Sequence, residues 1–357
     1  MNSHKFILSG GGTGGHIFPA VAIANELKKR HPDAQFLFIG ALGRMEMEKI
    51  PAEGFEITGL PVQGLKRKLT LKNITVAWNF LKSYFKAKQI IKNFKPDAAI
   101  GTGGYVSLPV IYAAQKERIP TIIWEGNGHA GLANKILAKR AQVICTGLPN
   151  MDSYFPKEKI HFTGNPIRDS ILQPTRKTEA LEHFKLSPEK KTVFITGGSL
   201  GAKNINKGIM HALPQLLKQN IQVIWQTGKS FTEKVGKESG YVSQFIYEMN
   251  LAFNAADLVV SRAGAISISE ICALKKPSIL VPSPNVTDDH QTKNAEALSS
   301  KKAAVLIKDS AHMELGETIV KILTNPVKME QLSHAIAPFA KPKSTAEITD
   351  LIEKALR

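Results

Sequence analysis

Seven residues near the start of the chain, Gly10-Gly11-Gly12-Thr13-Gly14-Gly15-His16, combine two ingredients of a polar reaction site. Glycines lack a Cβ and let the backbone approach an anion, and a helix starting there aims free N–H groups and positive dipole potential at it. His16 is the side chain of this segment that exchanges a proton near neutral pH, which makes it a candidate general base for a hydroxyl nucleophile. The same position would also suit phosphate binding or ordering of the loop. Two further segments of this kind follow in the same half, Gly101-Thr102-Gly103-Gly104-Tyr105 and Glu125-Gly126-Asn127-Gly128-His129-Ala130-Gly131. Two more lie in the second half, Gly197-Gly198-Ser199-Leu200-Gly201-Ala202 and the run from Ser261 to Glu270. Glu270 falls in the first turns of the helix that the last run opens, where a carboxylate either complements the dipole or accepts hydrogen bonds from sugar hydroxyls.

Other chemistries fit less well. Gly10, Gly12 and Gly15 satisfy a G-x-G-x-x-G fingerprint, but an NAD site also needs an acid at the end of the second strand. That strand closes on Phe38-Ile39-Gly40-Ala41, and the next acid is Glu46. The polar cluster Asp288-Asp289-His290-Gln291, followed by Asn294, reads as a site or as a solvated helix start. No Asp-x-Asp pair or His/carboxylate cluster has metal-ligand spacing, so the sequence requires no divalent cation. Cys145 and Cys272 are too few and too far apart for a disulfide framework, and their apolar neighbours predict buried, inert thiols in a reducing compartment.

The glycine segments are punctuation between elements. Apolar runs at Lys5–Ser9, Gln35–Gly40, Ala98–Gly101, Thr121–Glu125 and Gln142–Thr146 predict strands, and Ala20, Ile23, Ala24 and Leu27 recur at helical spacing. A second series follows the Gly164-Asn165-Pro166 turn, with strands predicted at Thr192–Thr196, Gln222–Gln226, Leu258–Ser261 and Ser278–Pro282. Strands alternating with helices imply βαβ units and parallel sheets covered on both faces, with ligand loops at the carboxyl edge. The polar segment from Gln173 to Lys191 is expected to run over the surface. Ser344-Thr345-Ala346-Glu347 has capping-box spacing before the helical face Ile348, Leu351, Ile352 and Ala355. A boundary near residue 165 gives an α/β protein of two similar halves.

The 357 residues carry 47 Lys and Arg against 30 acids, a net charge of +17. Such an excess attracts nucleic acid, anionic lipid or phosphorylated small molecules. It is uneven: residues 1–165 hold 22 basic and 11 acidic residues, and Lys66 to Lys95 holds nine basic residues and no acid. Within that stretch Phe80, Leu81, Tyr84, Ala87 and Ile91 share a helical face that reads as core. Leu65–Ile74, with Lys66, Arg67, Lys68, Leu69, Leu71 and Lys72, is short, basic and apolar together, a composition suited to an anionic bilayer surface. No signal peptide and no apolar run of transmembrane length is visible.

In chain order, GGGTGGH at Gly10–His16, the Glu125–Asn134 loop, GNPIR at Gly164–Arg168, GGSLGA at Gly197–Ala202, RAGAISISE at Arg262–Glu270 and DDHQ at Asp288–Gln291 form a specific set. The chain resembles, nearly end to end, the MurG family of peptidoglycan glycosyltransferases (glycosyltransferase family 28). The resemblance implies the GT-B architecture, two Rossmann-like domains with parallel sheets facing an interdomain cleft. Residues 1–165 would form an acceptor and membrane-associating domain, with the helix 344–357 packing back onto it, and 166–343 the UDP-GlcNAc domain. The implied reaction is inverting transfer of GlcNAc from UDP-GlcNAc to the C4 hydroxyl of undecaprenyl-pyrophosphoryl-MurNAc-pentapeptide (lipid I), giving lipid II and UDP. It would need no cofactor and no metal, and would run peripherally on the cytoplasmic face of the cell membrane, with cell-wall synthesis proteins as further partners.

Matched motif by motif, Thr13, Gly14, Gly15 and Asn127 would face the donor from the first domain, with His16 as the base. Arg168 and Ser199 would assist the diphosphate and Ile246 would meet uracil. The helix start Ala265, Ile266, Ser267, Ile268 and Ser269 would hold the pyrophosphate, Glu270 the ribose hydroxyls, and Gln291 the GlcNAc. Gly126 and His290 depart from the glutamines expected there. Two rivals remain at this stage: a UDP-GlcNAc epimerase of the same architecture, and a nucleic-acid-binding protein, for which no RNP-like or helix-turn-helix signature is present.

Overall fold

The computed structural model describes residues 3–62, 72–198, 200–286 and 289–356, with residues 72–77 described by their backbone alone. The chain divides into two compact units, Met1–Ile167 with Lys343–Arg357, and Arg168–Pro342. Each is a parallel sheet with helices on its faces, as the alternating pattern predicts.

In unit 1 the strands are β1 (Lys5–Gly10), β2 (Gln35–Ala41), β3 (Glu56–Leu60), β4 (Ala98–Gly103), β5 (Thr121–Glu125), β6 (Val143–Thr146) and β7 (Ile160–Phe162). Helices α1 (Gly14–Arg30), α2 (Glu46–Ala52), α3 (Lys72–Phe94), α4 (Ser107–Lys116) and α5 (Leu132–Leu137) connect them. The strand order is β3-β2-β1-β4-β5-β6-β7, so the direction of winding reverses between β1 and β4. Both faces are buried: Ile7 packs towards α3, α4 and α5, while Phe6 and Leu8 pack towards α1. This is why β1 reads as an unbroken apolar run and not as an alternation.

Unit 2 contains α6 (Lys177–His183), β8 (Lys191–Thr196), α7 (Lys203–Lys218), β9 (Ile221–Gln226), β10 (Gly240–Ser243), α8 (Met249–Ala255), β11 (Leu258–Ser261), α9 (Ala265–Ala273), β12 (Ser278–Leu280), α10 (His290–Ser299), β13 (Val305–Leu306), α11 (Leu315–Leu323) and α12 (Pro326–Ile336). Its sheet order, β10-β9-β8-β11-β12-β13, reverses between β8 and β11. In both units the loops that follow the two strands at the reversal are glycine segments singled out in the sequence. The segment expected to cross the surface between Gln173 and Lys191 instead contains α6, which buries Ala180 and Leu181 and is followed by the buried Phe184.

The last helix, α13 (Ser344–Ala355), belongs to unit 1. Ile348 and Ile352 are fully buried in the cluster containing Phe6, Leu8 and Ile17. Polar contacts reinforce the seat: Arg30 donates to Asp350 at 2.6 Å, Glu353 at 3.1 Å and Glu26 at 2.9 Å, and His31 lies 2.9 Å from Glu353. The capping-box expectation fails here. Lys343 occupies the cap position, Ser344 is already the first helical residue, and its buried hydroxyl has no hydrogen-bond partner. Among the described residues no helix is long and apolar enough to cross a membrane.

Truncating Ile352 to Ala should therefore destabilise the protein by about 2–4 kcal/mol in urea unfolding, since it empties a fully buried site. Asp350→Ala, whose side chain is 66% exposed, should cost less than about 1 kcal/mol.

Candidate active site

In unit 1 the glycine loops after β1 and β4 interlock. A Cβ on Gly10 would collide with Thr102, one on Gly104 with the carbonyl of Gly11, and one on Gly103 (φ +100°) would stand 2.7 Å from the His16 ring. His16 is the third residue of α1 and not part of the loop proper. Its Nδ1 lies 2.9 Å from the Thr102 carbonyl oxygen, an acceptor that obliges Nδ1 to carry the proton and makes Nε2 the basic nitrogen. The neutral histidine is thus held in a single tautomer.

The amides of this loop are not all available to an anion. Glu46, the acid whose distance from the end of β2 weighed against NAD, is fully buried and turns back to the loop. Its carboxylate accepts from the Gly12 N–H at 3.0 Å and from the Ala41 N–H at 3.1 Å. The loop after β5 is closed in the same way. Glu125 accepts from the N–H of Asn127 at 3.1 Å, the N–H of Gly131 at 2.9 Å and the side-chain amide of Asn134 at 3.0 Å. Gly126 is explained by its neighbour: a Cβ there would fall 2.5 Å from the buried Trp124 indole, so this chain has no room for glutamine. Thr13 and Gly15 are exposed and Gly14 and Asn127 half-buried.

Unit 2 treats its loops differently. The segment after β8 opens on a cavity of about 600 Å³, lined by Gly197, Gly201, Arg262, Gly264, Ser267 and Gln291 among others. The N-termini of α7 and α9 both border it, so the positive dipole potential of two helices converges there. Gln226 braces the loop, donating to the Gly198 carbonyl at 3.0 Å and accepting from the Ile246 N–H at 3.0 Å. Gln291 is oriented by the Ser283 N–H, which donates to its Oε1 at 2.9 Å.

The remaining candidates differ in burial. Ile268 turns its side chain into the core and donates its amide to Gly264, while Ala265, Ile266 and Ser267 before it are half-buried. Ser269 is half-buried one residue further along. The Ile246 side chain is buried. Asn294, which follows the cluster that reads as a site or as a solvated helix start, is fully buried and donates to the Ala263 carbonyl at 3.1 Å. Ser199, Asp288, Lys66, Arg67, Lys68, Leu69 and Leu71 lie outside the described residues, as does the side chain of Lys72. No motif in the sequence points to Glu46 or Gln226 for these roles, because each works through a partner distant in the chain.

Glu270 is buried on α9, and its Oε1 accepts from Arg168 Nη2 at 3.0 Å and Nε at 3.3 Å. Burial raises its pKa above the ordinary carboxylate value; the Arg168 guanidinium, itself 59% exposed, opposes that rise without cancelling it. Both cysteines are buried and free, with burial pushing each thiol up to about 12.

Residues 6–146 match the Glycosyltransferase family 28 N-terminal domain, and residues 192–351 match the Glycosyltransferase family 28 C-terminal domain. A protein of Cytophaga hutchinsonii is 49% identical over 98% of this chain and 96% of its own length, and one of Parabacteroides distasonis is 48% identical over 99% of each. Both are named UDP-N-acetylglucosamine--N-acetylmuramyl-(pentapeptide) pyrophosphoryl-undecaprenol N-acetylglucosamine transferase. The crystal structure of MurG from Acinetobacter baumannii superposes with a TM-score of 0.78 at 29% identity, covering 99% of this chain and all of that one. A UDP-GlcNAc 2-epimerase from Neisseria meningitidis has a TM-score of 0.63 at 14% identity over 98% of this chain and all of its own, a likeness of fold alone.

A carboxylate whose pKa is raised by folding carries no penalty below its ordinary value and an increasing one as pH rises from there to its folded value. Glu270→Gln should accordingly raise the melting temperature at neutral pH, and that gain should vanish as the pH is lowered through the ordinary carboxylate range.

Proposed function

The chain belongs to glycosyltransferase family 28, and from that premise we propose that it transfers GlcNAc from UDP-GlcNAc to the C4 hydroxyl of undecaprenyl-pyrophosphoryl-MurNAc-pentapeptide. The products are the β-1,4-linked disaccharide lipid and UDP. The observation that carries the donor assignment is the contrast between the units. Glu46 and Glu125 occupy loop amides of unit 1, while the α7 and α9 N-termini of unit 2 converge on an open cavity of about 600 Å³.

Attack by the C4 oxygen on the anomeric carbon opposite the UDP group inverts that centre. As the new C–O bond forms, the hydroxyl proton passes to His16 Nε2, while the pair of the breaking bond leaves with UDP. The Thr102 carbonyl steadies the imidazolium that results, because Nδ1–H already points at it. The negative charge developing on UDP is met by helix amides and dipoles already oriented before reaction, a stabilisation that requires no metal. Glu270 accepts from the ribose hydroxyls, Arg168 and Ser199 assist the diphosphate, Gln291 orients the GlcNAc, and Thr13, Gly14, Gly15 and Asn127 are further donor-binding residues.

A lipid-linked acceptor calls for contact with a membrane surface, and the reading places the protein peripherally on its cytoplasmic face. Trp78, Leu81 and Phe85 support it. They recur along one side of α3 and are 58%, 45% and 64% exposed, so Leu81 does not join the core as its spacing suggested. Lys82 lies 5.6 Å from the Trp78 ring centre, and the basic stretch 66–72 immediately precedes the exposed apolar side chains. An anionic leaflet would attract the lysines while the aromatic side chains enter the interface.

The decisive experiment is transfer of labelled GlcNAc from UDP-GlcNAc to a lipid I analogue. Turnover should depend strictly on the acceptor, which an epimerase would not need, and should survive a chelator unchanged. His16→Ala should lower kcat by about 10²–10⁴-fold while changing UDP-GlcNAc binding little; equal losses in both would overturn the base assignment. In sedimentation with anionic vesicles, replacing Lys66, Arg67 and Lys68 with Ser should weaken binding, and adding Trp78→Ser and Phe85→Ser should weaken it further. Unchanged binding of both variants would refute the docking surface.

A further inference from the structure

Beneath the unit 2 cavity lies an ion pair that no sequence motif announced. Asp309 opens the short turn Asp309–Glu314 after β13, and its side chain is 12% exposed. Its Oδ1 accepts from Arg262 Nη1 at 2.6 Å, and its Oδ2 accepts from the Asn204 side-chain amide, also at 2.6 Å. Asn204 is the second residue of α7, and Arg262 stands three residues before α9. One carboxylate thus bridges the starts of both helices whose N-termini border the cavity, and all three residues line that cavity.

The bridge is itself held from both ends. Arg262 also donates to the carbonyls of Val281 and Pro282, each at 3.1 Å, which ties it to the end of β12. The turn carrying Asp309 presses on α7 at Gly208, where a Cβ would collide with the His312 carbonyl. The His312 Nδ1 lies 3.0 Å from the Asp309 carbonyl oxygen and donates to it. Arg262 therefore does not present an unneutralised cation to the cavity. Its charge is met by Asp309, and its Nη1 is committed to three acceptors.

We infer that Asp309 is a positioning residue for the donor diphosphate, acting through Arg262 and Asn204 to hold the α7 and α9 starts at the separation at which amides of both reach one diphosphate. The inference rests on the UDP-GlcNAc reading above and deepens it. The physical reason is geometric. A loop that drifts by a fraction of an ångström degrades short charge-assisted hydrogen bonds to phosphate steeply, whereas contacts to the nucleoside, made elsewhere, are indifferent to it.

Calorimetric titration of the full-length protein with UDP and with uridine separates these effects. Asp309→Ala should weaken UDP binding about tenfold, equivalent to about 1.4 kcal/mol, and leave uridine binding unchanged; kcat/KM for UDP-GlcNAc should fall at least as far, because the same amides meet the charge on departing UDP. Asn204→Ala, which removes one end of the bridge and leaves the Arg262 pair, should act in the same direction more weakly, and it decides the matter if Asp309→Ala does not fold. Equal weakening of UDP and uridine, or unchanged UDP affinity in the folded variants, would overturn the inference while leaving the donor reading intact. Failure of the wild-type protein to bind UDP would instead overturn the donor reading, and this inference with it.

Discussion

A parallel strand buried on both faces can deliver its chain only at the carboxyl edge of the sheet, and where strand order reverses, two neighbouring loops leave in opposite directions and open a gap. Everything chemical in this protein depends on that constraint. Between β1 and β4 it sets His16 against the Thr102 carbonyl, and between β8 and β11 it brings the starts of α7 and α9 to one cavity. The sheets are covered on both faces by helices, so the edge loops are where backbone amides can be spared for ligands.

The same glycine-rich turn is used in two opposite ways. In unit 1 a buried carboxylate folds back onto the loop, Glu46 after β1 and Glu125 after β5, so the missing Cβ atoms serve close packing of one loop on another. In unit 2 the loop is braced from the side by Gln226, and the carboxylate that enters the cavity, Asp309, is matched by Arg262. Glycine content alone reports that backbone approaches something closely; whether that partner is a ligand or another loop depends on which side chain gets there first.

Glu270 shows the cost of the arrangement. A carboxylate buried on α9 with a half-exposed arginine as its charged partner is held with its pKa raised, a net penalty to the ligand-free protein.

The sequence by itself determined the α/β class, the two parallel sheets, the interior strands and every glycine loop, because two-sided burial writes continuous apolar runs and tight turns write glycine. It was silent on β3, β7, β10 and β13, which are the four edge strands; an edge strand has one neighbour and less burial, and so carries no apolar run to read. Only the tertiary structure decided which loops stay open and which side chains brace them. Glu46 meets Gly12 across 34 residues, and Asp309 meets Arg262 across 47 and Asn204 across 105. Spacing along the chain encodes local backbone conformation, while a hydrogen bond between distant residues exists only once the sheet has placed its donor and acceptor at the same edge.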